Sequence, residues 1–178
     1  MERQSGTADT PVAASTSAIA GGDAGFDCDQ PAPGAANREL QMLELVNELR
    51  ERGAGCDPTS ENSGHKLPRL TKLELSSDLS CAARRNSHEM ARTGVFAHRD
   101  VTGAGPHARS AQAGFKGSIV LENLAWGQPE PQAALTAWLA SPGHCHALFS
   151  SAVQQAGVGL ALGAAQKPFW TLLLGGSG

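Results

Sequence analysis

The 178-residue chain contains no tyrosine, and aromatic residues of all kinds make up only 4% of it. With so few large rings available, the three tryptophans, Trp126, Trp138 and Trp170, are each expected to pack inward. Basic charge is scarce too: 14 Lys and Arg against 17 Asp and Glu leave a formal charge of −3. The cations form no run, so the electrostatic footprint that a phosphate backbone requires is missing and nucleic acid is not expected as a partner. No apolar stretch approaches the roughly 20 residues that cross a bilayer. The longest candidates, residues 156–163 and 169–174, are short and bounded by glycine.

Several catalytic patterns are also missing. There is no Gly-x-Ser-x-Gly and no glycine-rich phosphate loop with its lysine, which argues against a serine hydrolase or a nucleotide enzyme. His88-Glu89 begins like a zincin helix, but the second ligand would fall one turn on, where Arg92 stands. His88 then reads as an exposed helix residue and Glu89 as a solvated partner for Arg85 or Arg92.

Residues 1–36 are crowded with Ser, Thr, Ala, Gly, Asp and Pro without helical or strand period. Such a stretch cannot bury enough apolar surface to offset its ordering entropy, and it reads as a disordered leader or linker. Met1 to Thr7 carries mixed charge and no apolar core follows, so it does not read as a secretion signal.

From Asn37 the texture changes. Leu40, Leu43, Val46 or Leu45, and Leu49 recur at three- and four-residue spacing among Glu and Arg, the mark of an amphipathic helix. Gly53 and Gly55 end it, and a polar loop runs to Leu67-Pro68. Ser76, Ser77 or Asp78 can cap a second helix with Leu79, Ala82, Ala83 and Met90 on one side and Gly94 as its stop. Residues 118–126 read as a strand, 131–141 as a third helix with Trp138 inward, and 144–150 as a short fourth. Val158, Leu160 and Leu162 alternate with small residues, and 169–174 is apolar enough for a central strand, so the two close as an antiparallel hairpin across 163–168. Gly157 and Gly159 allow close backbone approach in that sheet. An α+β sandwich with a small sheet between helices follows.

The ordered series Leu43-Glu44-Leu45-Val46-Asn47, Leu67-Pro68-Arg69-Leu70, Met90 to His98, Arg109 with Ala113-Gly114-Phe115, Glu122-Asn123-Leu124-Ala125, Trp138 to His144, Gly157-Val158-Gly159 and Trp170-Thr171 resembles bacterial CAP proteins. That superfamily also holds the cysteine-rich secretory proteins, insect venom antigens and plant pathogenesis-related proteins. The resemblance implies a three-layer α-β-α sandwich over residues 37–176, with a small, mainly antiparallel sheet.

It also implies a cleft lined by two histidines and two acids. His98 matches the first histidine, Glu122 the first acid and His144 the second histidine, while Ser141 stands where the second acid would fall. Asn123 and Arg109 line the same region. Asn123 is expected to order a loop through backbone hydrogen bonds, and Arg109 to pair with Asp100 or Glu122. His98 and His144, with Glu122, suit Zn2+ or another divalent cation, which prefers nitrogen and oxygen donors and can activate a water. The plainer alternative has both imidazoles partly buried and bonded to Glu122, the Ser141 hydroxyl and backbone. His107 and His146 are expected on the surface or rim, and His65 sits in a polar loop.

Four cysteines, Cys28, Cys56, Cys81 and Cys145, fit no zinc-ribbon or thioredoxin spacing and read as disulfides of an exported protein. Four cysteines allow three pairings. The resemblance implies Cys56 with Cys145; Cys28 then either clips the leader to Cys81 or leaves Cys81 free and buried. Two functions stand at this point. One is a secreted, monomeric, non-catalytic module binding a lipid, peptide or cell-wall ligand; the other is a metal-assisted hydrolase using His98, His144 and Glu122.

Overall fold

The computed structural model describes residues 26–28, 30–53, 56 and 68–177. Most of the expected leader, together with Gly55, His65 and Leu67, lies outside the described residues. Helix α1, Ala35–Arg52, begins two residues earlier than the periodicity suggests and ends on Gly53, whose left-handed φ of 66° suits glycine. Its buried face differs from the expected leucine stripe. Leu40 is 49% exposed, while Glu39 and Arg50 turn inward with Met42, Leu43 and Val46. The reason is partnership. Arg50 donates to the carbonyls of Leu148 (2.7 Å), Ser150 (3.0 Å) and Thr71 (3.1 Å), so a charge that apolar patterning would place outside is satisfied within.

Strand β1, Glu74–Leu75, is only two residues long and leads directly into α2, Ser77–Thr93. Ser76 caps α2 by accepting from the Leu79 amide at 3.3 Å, and Leu79, Ala82, Ala83 and Met90 form the expected buried face. A short helix α3, Pro106–Gln112, was not foreseen. It is flanked by glycines and carries proline at its first position, a start signal too brief to show a period. Strand β2, Ile119–Trp126, is followed by α4, Pro131–Leu139, and α5, Pro142–Leu148. Strands β3, Gln155–Leu162, and β4, Pro168–Gly176, form the expected hairpin.

The sheet order is β1-β3-β4-β2, antiparallel except for the parallel β1–β3 pair. Helix α2 packs on one face against β3 and β4, with α3 beside it, while α1 and α4 cover the other. The chain is thus an α+β sandwich of three layers. Close approach of α2 depends on glycine: a Cβ on Gly157 or Gly159 would collide with the backbone of Leu79 and Ser80 or of Ala83 and Arg84. The larger core lies on the α1 and α4 side around Trp138 and Trp170. Both indoles are buried with their N–H groups donating to Leu124 and Gln128 carbonyls at 2.8 and 2.9 Å. Trp126 departs from expectation: it is 48% exposed.

All four cysteines are paired. Cys56–Cys145 fastens the segment after α1 to α5, and Cys28–Cys81 holds the end of the expected leader onto α2. Arg84 reinforces the second attachment by donating to the Cys28 carbonyl at 2.7 Å.

Candidate functional site

The loop between α2 and α3 carries His98, and its shape is set locally. Gly94 stops α2 in the left-handed region at φ 73°. Asp100 then gathers the Thr102 amide (2.9 Å), the Thr102 hydroxyl (2.6 Å) and the Ala104 amide (2.9 Å) on one oxygen. Burial alone would raise the Asp100 carboxyl, but these donors and nearby Arg109 outweigh it and hold the group below its ordinary value. Glu89 Oε1 accepts from the Val101 amide at 2.7 Å. Glu89 is therefore an anchor for this loop, not the solvated partner of Arg85 or Arg92 that the sequence suggested.

Arg109, on α3, ties the loop to the sheet. It is 5% exposed and donates to the carbonyls of His98 (2.8 Å) and Ala104 (2.9 Å). Its other terminal nitrogen donates to Glu122 Oε2. Of the two partners the sequence offered, Glu122 is the one that forms the ion pair. Glu122 projects from the middle of β2, the edge strand, and its side chain is 1% exposed. The second oxygen, Oε1, lies 2.8 Å from His98 Nδ1. An ionised carboxylate can only accept, so Nδ1 carries the proton and Nε2 is left as the free nitrogen of neutral His98. The His98 side chain is 56% exposed, so that nitrogen is at the solvent boundary.

His144 lies on α5, three residues after its N-terminal cap Ser141 and next to Cys145 of the disulfide. Asn123, fully buried beside Glu122 on β2, donates to the His144 carbonyl at 3.0 Å. This matches the expected backbone role. The Ser141 hydroxyl, by contrast, makes no hydrogen bond to either imidazole among the described residues; its backbone is used instead, the amide donating to the Trp138 carbonyl and the carbonyl accepting from the Cys145 amide.

The two histidines titrate in opposite directions. The hydrogen bond to Glu122 raises His98 above the ordinary imidazole value, against a smaller opposing effect of burial. Burial lowers His144, and charge on His98 lowers it further. His98 and His144 are therefore electrostatic neighbours. Over an intermediate pH range the site holds a charged His98 beside a neutral His144. His107 and His146 are exposed, away from these bonds.

The donor set bears on the cation. A catalytic zinc takes three protein ligands, but Glu122 has both oxygens engaged, and no group of three His, Cys, Asp or Glu side chains suited to a metal occurs among the described residues. Glu122 therefore orients a histidine instead of offering a free oxygen.

Comparison with known proteins places the chain in a family. The chain is 29% identical over 121 residues to the uncharacterized protein YkwD of Bacillus subtilis, covering 68% of this chain and 41% of that one. It thus spans about two fifths of that relative's length. Among solved structures, an extracellular protein containing an SCP domain from Bacillus anthracis superposes with a TM-score of 0.64 at 22% identity, over 79% of this chain and 41% of that chain. An outer surface protein from Borrelia burgdorferi gives 0.67 at 19% identity, over 81% and 96% of the two chains. These structural likenesses concern the fold. The family model described as CAP, the cysteine-rich secretory protein family, matches residues 43–174, and the chain belongs to that family.

Proposed function

We propose that the protein is an extracytoplasmic binding module whose ligand engages the face formed by His98, Glu122 and His144. The observation that supports this most is the commitment of Glu122: a buried carboxylate with one oxygen given to Arg109 and the other to His98. With each oxygen already accepting one hydrogen bond and the side chain buried, Glu122 is better placed to present one half-exposed imidazole in a fixed orientation than to act as a general base. A site so arranged offers a hydrogen-bonding and pH-sensitive contact to a lipid, peptide or cell-wall ligand. The extracytoplasmic setting agrees with two disulfides, which persist in oxidising compartments. It agrees also with the extracellular and outer-surface descriptions of the structural relatives.

The metal-assisted hydrolase is the less favoured reading, because the third protein ligand it needs is engaged elsewhere. A divalent cation held by His98 and His144 alone, with water completing its shell, is compatible with binding. Calorimetric titration with zinc chloride tests that part: heat in the parent but not in the His98→Ala, His144→Ala double variant supports it, and no heat in either ends it. For the function itself, parent and double variant are incubated with mixed membrane lipids, peptides and a cell-wall digest, re-isolated, and their bound material identified by mass spectrometry. The parent is expected to retain one class that the double variant loses. Cleavage products formed by the parent and absent with the variant would instead establish the hydrolase.

A further inference from the structure

Trp126 has no place in the core. It is 48% exposed, whereas Trp138 and Trp170 are 1% and 0% exposed. Instead it floors a cavity of about 430 Å³ whose walls include Phe169, Arg92, Gly94, Ala164 and Lys167. That volume falls within the range of small-ligand sites. Phe169 lies against the indole, ring centroids 6.1 Å apart and tilted by 31°, and so supports it from the sheet side. The Lys167 ammonium stands 5.0 Å from the indole centroid. Arg92 is exposed and forms no ion pair among the described residues. The lining thus holds two cations and no carboxylate.

The turn that delivers Lys167 is itself strained. Ala165 and Gln166 have φ of 54° and 58°, consecutive non-glycine residues in the left-handed region. They are held there by the Gly163 amide donating to the Lys167 carbonyl at 2.9 Å and the Gln166 amide donating to the Gly163 carbonyl at 3.1 Å. Consecutive positive φ angles belong to the tight hairpin turn between β3 and β4, which sets Lys167 down immediately before β4, beside Trp126. The consequence here is a positive charge held over a solvent-facing aromatic plate.

We propose that this cavity is a second binding site, taking a pyranose ring that carries a carboxylate. The C–H face of the ring would stack on Trp126, and the carboxylate would be shared by Arg92 and Lys167, the guanidinium offering paired donors and the ammonium a point charge. The lining suits a ring acid: two aromatic rings and small residues for an apolar ring face, with two cations beside them for a carboxylate. A neutral sugar would leave Arg92 without a carboxylate and Lys167 with the indole alone. The cavity stands on the same face of β2 as Glu122, four residues further on, about 13 Å along the strand at the usual rise. It therefore does not rest on the His98 reading, and either can fail alone.

Because the other two indoles are buried, quenching of fluorescence by acrylamide reports on Trp126. N-acetylmuramic acid is the probe, with N-acetylglucosamine as the same ring lacking the carboxylate and lactate as the carboxylate without the ring. The acid sugar is expected to shield Trp126, and the neutral sugar to bind at least about tenfold more weakly, as for loss of a charge-assisted hydrogen bond. Arg92→Ala and Lys167→Glu, both on the surface, should each weaken shielding by about tenfold or more, and His98→Ala should leave it unchanged. The proposal is overturned if none of the probes shields Trp126, if the neutral sugar or lactate does so as well as the acid sugar, or if His98→Ala abolishes the effect.

Discussion

Two buried carboxylates in this protein have nearly the same surroundings and opposite consequences. Glu39 on α1 is 4% exposed and Glu122 on β2 is 1% exposed at the side chain. Each meets an arginine: Arg84 reaches Glu39 Oε2 at 2.9 Å, and Arg109 reaches Glu122. They differ in the third partner. Glu39 gives its other oxygen to the Leu160 amide at 3.0 Å, a backbone group that cannot titrate or move. Glu122 gives its other oxygen to an imidazole that is more than half exposed. Burial with an arginine is therefore not what makes a site; the same device closes α1 onto β3 in one place and opens toward solvent in the other. Burial also raises the Glu39 carboxyl despite Arg84 and the Leu160 amide.

The largest expected effect comes from removing the arginines. Arg109→Ala strips Glu122 of its buried partner and frees the His98 and Ala104 carbonyls. It should cost about 3–5 kcal/mol by chemical denaturation, the range for orphaning a buried charge. Arg84→Ala should cost less, about 1–3 kcal/mol, because Arg84 is partly exposed and Glu39, already raised, takes up a proton more readily. Equal losses would erase the proposed difference between the two pairs.

A smaller effect follows from replacing the carboxylates conservatively. Glu122→Gln and Glu39→Gln keep volume and remove charge, and each should destabilise by about 1–3 kcal/mol. Only Glu122→Gln should change ligand or zinc binding at the His98 face. Altered binding in Glu39→Gln would mean that the two regions are coupled.

The smallest effect is in the pH dependence of stability, where the histidines oppose each other. His98 is raised, so its charged pair with Glu122 contributes fully below the ordinary imidazole value of 6.5 and is lost as pH rises through the raised value. His144 is lowered, so its contribution is present above 6.5 and is lost as pH falls through the lowered value. The two windows meet at 6.5 without overlapping, so these groups should make the parent most stable near that pH, with a fall on the acid side from His144 and on the alkaline side from His98. In His144→Ala only the His98 branch is left, so the fall on the acid side of 6.5 should disappear while the fall above 6.5 persists. Urea denaturation at half-unit pH steps separates the two curves.

The sandwich itself was legible because its signals are local: glycine stops after α1 and α2, a cap among Ser76, Ser77 and Asp78, and alternation along β3. His98, Glu122 and His144 were legible through the ordered motifs that resemble the CAP family. Other features were hidden because they depend on partners far away in sequence. Glu39 is buried through Leu160, 121 residues on, and Arg50 through Leu148, 98 residues on; a periodicity that counts only apolar residues turns α1 toward Leu40 instead. Trp126 gave a misleading signal for a similar reason. An indole at the end of a strand looks like core until the open edge beside it is seen. Nor can spacing reveal that one oxygen of Glu122 meets Arg109 and the other His98.

The most direct test of the difference between the two carboxylates is an NMR titration of the imidazole resonances of His98 and His144 in the parent, Glu122→Gln and Glu39→Gln. His98 should protonate above 6.5 and His144 below it in the parent. In Glu122→Gln, His98 should fall back toward or below the ordinary value and His144 should shift with it, while Glu39→Gln leaves both unchanged. A His98 titration indifferent to Glu122, or equally sensitive to Glu39, would contradict the assignment of one carboxylate to an open site and the other to the scaffold.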